Sequence, residues 1–176
     1  MEIKDILRQT GIAVLTYTAM NEIKAEEFIH YLEFEYNNDI TYEEILKSLK
    51  NKKNAQIHIS QPIQNLINTK QNSDTLHRAK FVSSFLRQLI NICNSNNLSI
   101  LLKSYTFRSS RGINNQIPVS KSLLYSSYFI GHIDKNILSV QKSRYSEQME
   151  YDLGNIMLRD LRKKKLKNIE KKFFDF

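Results

Sequence analysis

Glycine, proline and tryptophan are scarce in this sequence of 176 residues, which has 4 Gly, 2 Pro and no Trp. So few turn-forming residues exclude a β-sandwich with many tight turns, and they exclude long flexible linkers. The four glycines are far apart in the sequence. A phosphate-binding P-loop and a Rossmann fingerprint both need clustered glycines, so both are excluded and we expect no cofactor.

Cysteine and histidine are also too sparse for a metal site. The single Cys93 cannot form an internal disulfide, and its place in an apolar pattern predicts a buried structural thiol. Zinc sites need Cys and His at close spacing. A two-metal nuclease needs convergent carboxylates, which the central region lacks. We therefore expect no metal.

Long apolar runs are absent from the sequence. No stretch approaches 18 consecutive apolar residues, so no membrane span is expected. Residues 1–11 mix acids and bases and lack the apolar segment of a secretory signal. We expect a cytoplasmic protein.

Charge is unevenly distributed around a net value of +8. Residues 2–44 hold ten acids and three bases, whereas the rest of the chain holds 23 bases and 8 acids. Between Glu44 and Asp134 the only acid is Asp74. The central and C-terminal parts therefore favour a polyanion as partner.

Hydrophobic periodicity predicts one dominant helix over residues 75–94. Its apolar residues recur at steps of three and four, the spacing of a buried helical face. Further helices are predicted over 22–36, 41–50 and 61–69, and from 146 toward the C-terminus. Strands are predicted over 55–59, 98–107, 122–133 and 137–141. Residues 11–19 fit either a strand or a helix.

The order of elements from residue 41 to residue 133 resembles a winged-helix topology. It is helix, strand, helix, helix and β-hairpin, with the long helix in the position of a recognition helix. We predict an α+β fold with a winged-helix-like centre over residues 41–142. Residues 1–40 are predicted to be an acidic helical part of the same domain, and residues 143–176 a basic amphipathic helix.

One face of the long helix and the predicted hairpin loop are basic and polar. None of the side chains along them is acidic, and all can bond a phosphate or a base edge. The predicted nucleic-acid-binding residues are His77, Arg78, Lys80, Ser84, Arg87, Asn91, Arg108, Arg111 and Lys121. We predict a non-catalytic binder of nucleic acid, duplex DNA before RNA, acting as a small regulator or accessory subunit.

Two alternatives stay open from the residues alone. A metal-independent ribonuclease needs an acid–base group and cations to stabilise a pentavalent phosphate, and His132, Tyr105, Arg108 and Arg111 are its candidates. An interaction subunit would instead use its basic surface to bind an acidic protein. The C-terminal helix 146–176 also allows a protein partner or self-association, because the N-terminal part is acidic.

Overall fold

The computed structural model describes residues 1–68, 75–106 and 121–174, which form a mixed α/β fold around a seven-stranded, mostly parallel sheet. The strand order is β2-β3-β4-β1-β5-β6-β7. The first five strands in this order run parallel to one another. Strands β6 and β7 are added at the β5 edge in antiparallel pairings.

The strands are β1 Gly11–Tyr17, β2 Glu35–Asn37, β3 Gln56–Ile59, β4 Ser99–Tyr105, β5 Phe129–Asp134, β6 Ile137–Ser143 and β7 Glu150–Asp152. The helices are α1 Ile3–Ile6, α2 Glu22–Leu32, α3 Tyr42–Leu49, α4 Ile63–Asn68, α5 Thr75–Asn96, α6 Lys121–Ser126 and α7 Leu153–Phe174. A short 3-10 turn, Ala19–Asn21, precedes α2.

Helices cover both faces of the sheet. Helices α3 to α6 pack on one face, which we call the α5 face, against side chains such as Val14, Ile100 and Ile130. Helices α1 and α2 and the start of α7 pack on the other, which we call the α2 face. The ambiguous residues 11–19 contain the central strand β1, whose unbroken apolar run is typical of a parallel strand buried on both faces.

Helix α3 begins with a capping box. Thr41 accepts a hydrogen bond from the Glu44 backbone N–H, and the Glu44 side chain accepts one from the Thr41 N–H, so the helix predicted over 41–50 has a well-defined start.

The winged-helix prediction is wrong. Strands β4 and β5, predicted to form the hairpin, both run parallel to β1, which lies between them. There is consequently no β4–β5 hairpin to touch a DNA backbone. The pairing of β4 with a strand far earlier in the chain, with Gly11 opposite Ser99, sets this arrangement.

Three predicted elements also differ from the structure. The predicted strand 122–133 divides into α6 and β5, and the predicted helix 22–36 ends at Leu32 before β2. The C-terminal helix begins at Leu153, after β7, rather than near 146. Leu166, Ile169 and Phe173, which lie on the apolar side of this amphipathic helix, are exposed.

Across the described ranges, none of the helices combines the length and apolar content needed to cross a bilayer.

Candidate functional site at the carboxyl edge of the sheet

The carboxyl ends of β1 and β4 form the topological switch point of the sheet. The chain leaves β1 toward α2 on one face and leaves β4 toward α6 on the other. In open parallel α/β sheets, ligands bind in the crevice that this divergence opens.

Three polar side chains form a row across adjacent strands on the α5 face of this edge. Thr16 lies opposite Ser104 on one side and His132 on the other. Strands are about 4.8 Å apart, so the three side chains are immediate neighbours. The Thr16 Oγ1 lies 2.9 Å from Nδ1 of His132 and donates to the Gly131 carbonyl oxygen at 3.2 Å. Burial lowers the pKa of His132, although Asp134 opposes this, so the ring is neutral near pH 7.

Helix α4 and the end of β4 extend this row. The Gln64 amide donates to Ser104 Oγ at 2.9 Å and to the Tyr105 carbonyl oxygen at 3.0 Å, and it accepts from the Tyr105 N–H at 3.1 Å. Thr106 is buried, and its hydroxyl has no hydrogen-bond partner among the described residues. We call Thr16, Gln64, Ser104, Thr106 and His132 the edge cluster. Its members are all uncharged hydrogen-bonding groups.

The α2 face of the same edge has a different character. Tyr17 and Tyr105 pack edge to face with ring centroids 5.2 Å apart, and the Tyr105 hydroxyl donates to Glu22 Oε1 at 3.1 Å. Burial raises the pKa of Tyr17, and the Tyr105 hydroxyl and the Glu26 carboxylate raise it further. The Tyr17 hydroxyl lies near Tyr105 but makes no hydrogen bond to any described residue.

Acidic groups surround the start of α2. Glu22 is in its first turn, and Glu26, one turn later, pairs with the buried Lys103 ammonium. The loop before α2 contains no glycine. A helix N-terminus after a glycine-rich loop is the usual phosphate site of parallel α/β proteins, and here that position carries a carboxylate instead. The arrangement disfavours a phosphate at this point.

The predicted nucleic-acid-binding residues have different outcomes. Lys80, Ser84, Arg87 and Asn91 are exposed on α5, and Lys121 is exposed at the start of α6. Arg108 and Arg111 lie outside the described residues, as do the side chains of His77 and Arg78. Binding of nucleic acid by these residues stays a prediction.

The predicted ribonuclease site is not assembled. Tyr105 pairs with Tyr17 on the α2 face, whereas His132 pairs with Thr16 on the α5 face, so the sheet separates the two side chains. The strand order explains the error, because β1 lies between the two strands that were read as neighbours.

Sequence reasoning missed most of the edge cluster. Thr16, Ser104 and Thr106 are polar residues at the ends of apolar strands, a pattern that marks the carboxyl edge once the strands are known to be parallel. The antiparallel interpretation of β4 and β5 hid this pattern.

No group of three or more His, Cys, Asp or Glu side chains in the described part of the chain is placed to hold a metal ion.

No protein-family model matches the chain, and no curated protein matches it. Among solved structures, the crystal structure of the RadB recombinase is similar, at 14% identity and a TM-score of 0.42, over 79% of this chain and 73% of that chain. The predicted winged-helix regulator is rejected by the sheet itself, in which β1 lies between the parallel strands β4 and β5.

Proposed function

We propose that this chain is a ligand-binding α/β domain that holds an uncharged, hydrogen-bonding small molecule at the edge cluster. The observation that supports this most directly is the Thr106 hydroxyl, which is buried without a partner among the described residues. An unpaired buried hydroxyl costs about 1–3 kcal/mol, and a ligand group that bonds it recovers this free energy.

The character of the edge supports an uncharged ligand. The edge cluster offers hydroxyl, amide and neutral imidazole groups, which can orient a polar ligand but cannot neutralise a charge. Burying an unpaired charge costs far more than burying a polar group. On the other face, Glu22 and Glu26 repel anions. A nucleoside therefore suits this edge better than a nucleoside triphosphate.

A thermal-shift titration with adenosine, ribose and ATP tests the proposal, together with ligand-observed NMR of a library of neutral fragments. We expect at least one neutral compound to raise the melting temperature and ATP to have no effect. Thr106→Val should abolish the ligand-induced shift while leaving the free protein as stable as before or more so, because the unpaired hydroxyl is gone.

Ser99→Ala is the matched control. Ser99 is a buried hydroxyl at the opposite end of β4, and its Oγ donates to the Leu7 carbonyl oxygen at 2.8 Å. This variant should lower stability yet keep the ligand-induced shift. If Thr106→Val destabilises the free protein and no neutral compound binds, the proposal is wrong.

Nucleic acid stays a proposed partner of this chain rather than its proposed function. Exposed Lys80 and Arg87 on α5 support it, since α5 from Lys80 onward contains no acid. Fluorescence anisotropy at two salt concentrations should show weaker binding for Lys80→Ala/Arg87→Ala than for the control Lys47→Ala/Lys50→Ala at the end of α3. Equal binding by both variants would remove these two residues from the interface.

A second copy of the chain is the other proposed partner, through the C-terminal helix.

A further inference from the structure

A groove of about 720 Å³ opens on the α2 face between α2, α7 and the β2–β3 edge. This volume is in the range of sites that enclose a drug-sized ligand. Its walls include the apolar Ile29, Phe34 and Leu161. Its rim is acidic on balance, with Glu26, Glu27 and Glu33 beside Lys164.

His58 and Tyr36 line the end of this groove. Their rings are 5.4 Å apart, and Tyr36 is largely exposed. His58 is only 2% exposed, and its Nε2 has no hydrogen-bond partner among the described residues. The groove is therefore lined at this end by an exposed aromatic ring and by a buried histidine whose Nε2 is unpaired among the described residues.

Helix α7 leaves the body of the protein about halfway along its length. Its first half is attached through Leu153 in the core, through Asp160, which accepts from the Tyr31 hydroxyl, and through Lys164, which pairs with Glu33 at 3.2 Å. Every described residue after Lys164 is exposed. This projecting end, residues 165–174, extends about 15 Å.

The projecting end has an apolar stripe on the side away from the body. Leu166, Ile169 and Phe173 are 60%, 51% and 77% exposed. Their spacing of three and four residues places them on one helical face, opposite the side that carries Leu153 and Lys164. An isolated helix of ten residues is marginal in water, so packing of this stripe would stabilise it.

The projecting end and the groove have opposite charge. Helix α7 contains eight basic residues and two acidic ones, and its last turn is basic. Helix α2 contains three acidic residues and one lysine, and Glu33 follows its last residue. Complementary potentials favour correct docking and suppress the wrong orientation.

We propose that the projecting end of α7 binds in the groove of a second copy of this chain. The apolar stripe packs on the apolar wall that includes Phe34, and the lysines face the acidic rim. Because the two contacting surfaces differ, the contact is heterologous and each copy keeps one free groove and one free helix end. Such contacts build rings or open filaments rather than closed dimers.

Sedimentation equilibrium of the full chain tests this. The wild-type protein should form species larger than dimers as its concentration rises, and high salt should dissociate them. A helix variant, Ile169→Ser/Phe173→Ser, and a groove variant, Glu27→Lys/Tyr36→Ser, should each weaken self-association about tenfold or more. Tyr125→Ser and Glu43→Lys make the same kinds of change at exposed sites elsewhere and should have no effect.

Mixing the two variants separates this arrangement from a symmetric one. The helix variant keeps an intact groove and the groove variant keeps an intact helix, so their mixture should form a 1:1 dimer and nothing larger. A wild-type protein that is monomeric at all concentrations overturns the proposal, as does a mixture that fails to form a dimer. Binding to phosphatidylserine vesicles that only the helix variant loses, without self-association, would assign the stripe to a membrane instead.

Discussion

Thr16 on β1 and His132 on β5 are joined by a side-chain hydrogen bond of 2.9 Å across the centre of the carboxyl edge. A hydroxyl has one proton. When Thr16 donates it to the Gly131 carbonyl oxygen, the Nδ1–H of His132 is the donor to Thr16, and Nε2 of the neutral ring is an acceptor. The pair thus fixes which nitrogen of His132 can accept a hydrogen bond from a ligand.

Removing the Thr16 hydroxyl should destabilise the fold. Thr16→Val preserves shape but leaves the His132 Nδ1 and the Gly131 carbonyl oxygen without their side-chain partner. We expect the free energy of unfolding in urea to fall by about 1–3 kcal/mol. Thr10→Val, which removes an exposed hydroxyl bonded to Asn97, should change it by less than about 0.5 kcal/mol. Equal effects at the two sites would contradict the importance of the Thr16–His132 bond.

Gly131 and Gly154 should respond oppositely to alanine. A Cβ at Gly131 would lie 2.6 Å from Leu138 Cδ1 and 2.9 Å from the Phe129 ring, so Gly131→Ala should cost about 1–3 kcal/mol through overpacking. At Gly154, within α7, the nearest atom to a Cβ is Asp152 Oδ1 at 3.4 Å. Gly154→Ala should therefore raise stability by about 0.5–1 kcal/mol, as alanine does in helices. Thermal unfolding of both variants checks the signs.

The sequence indicated where most elements lie but not how the strands pair. Capping residues and periodicity are local, so the start of α3 was accessible, whereas the pattern of residues 11–19 left β1 open between strand and helix. The position of β1 between β4 and β5 depends on contacts between residues far apart in the chain, which periodicity does not encode. The unbroken apolar run of β1 was the strongest available clue, because antiparallel strands with one wet face alternate instead.

The C-terminal helix shows a different limit of sequence reasoning. Leu153 and Leu166 both fit an apolar helical pattern, yet only Leu153 is buried. Hydrophobic periodicity identifies an apolar helical face. It does not distinguish packing on the same chain from packing on another molecule. The sequence pattern is therefore the same whether Ile169 and Phe173 are exposed or buried within the chain.

The ion pair between Lys103 and Glu26 should be asymmetric under mutation. Lys103 is 7% exposed and Glu26 is 42% exposed. Glu26→Gln leaves a buried ammonium without its carboxylate and should cost about 1–3 kcal/mol, below the value for fully buried pairs because Glu26 is partly solvated. Lys103→Met should cost less, since the remaining carboxylate reaches water. Urea unfolding of both variants measures the difference, with Lys24→Met at an exposed ion pair as the control. A larger loss of unfolding free energy for Lys103→Met than for Glu26→Gln would contradict the prediction.

His58 should make the protein less stable in mild acid. Burial lowers the pKa of His58 from 6.5 to about 4, and the Lys103 ammonium adds to this effect. Between these two pKa values the unfolded chain binds a proton that the folded chain does not. The contribution of His58 to the free energy of unfolding is therefore fully present above pH 6.5 and is lost as the pH falls toward 4. The total loss is about 3 kcal/mol. The slope of unfolding free energy between pH 7 and pH 4 should be smaller for His58→Gln than for the wild-type protein. His30→Gln, at an exposed histidine of the same groove, should keep the wild-type slope; if it flattens the slope as much as His58→Gln does, burial of His58 is not the cause.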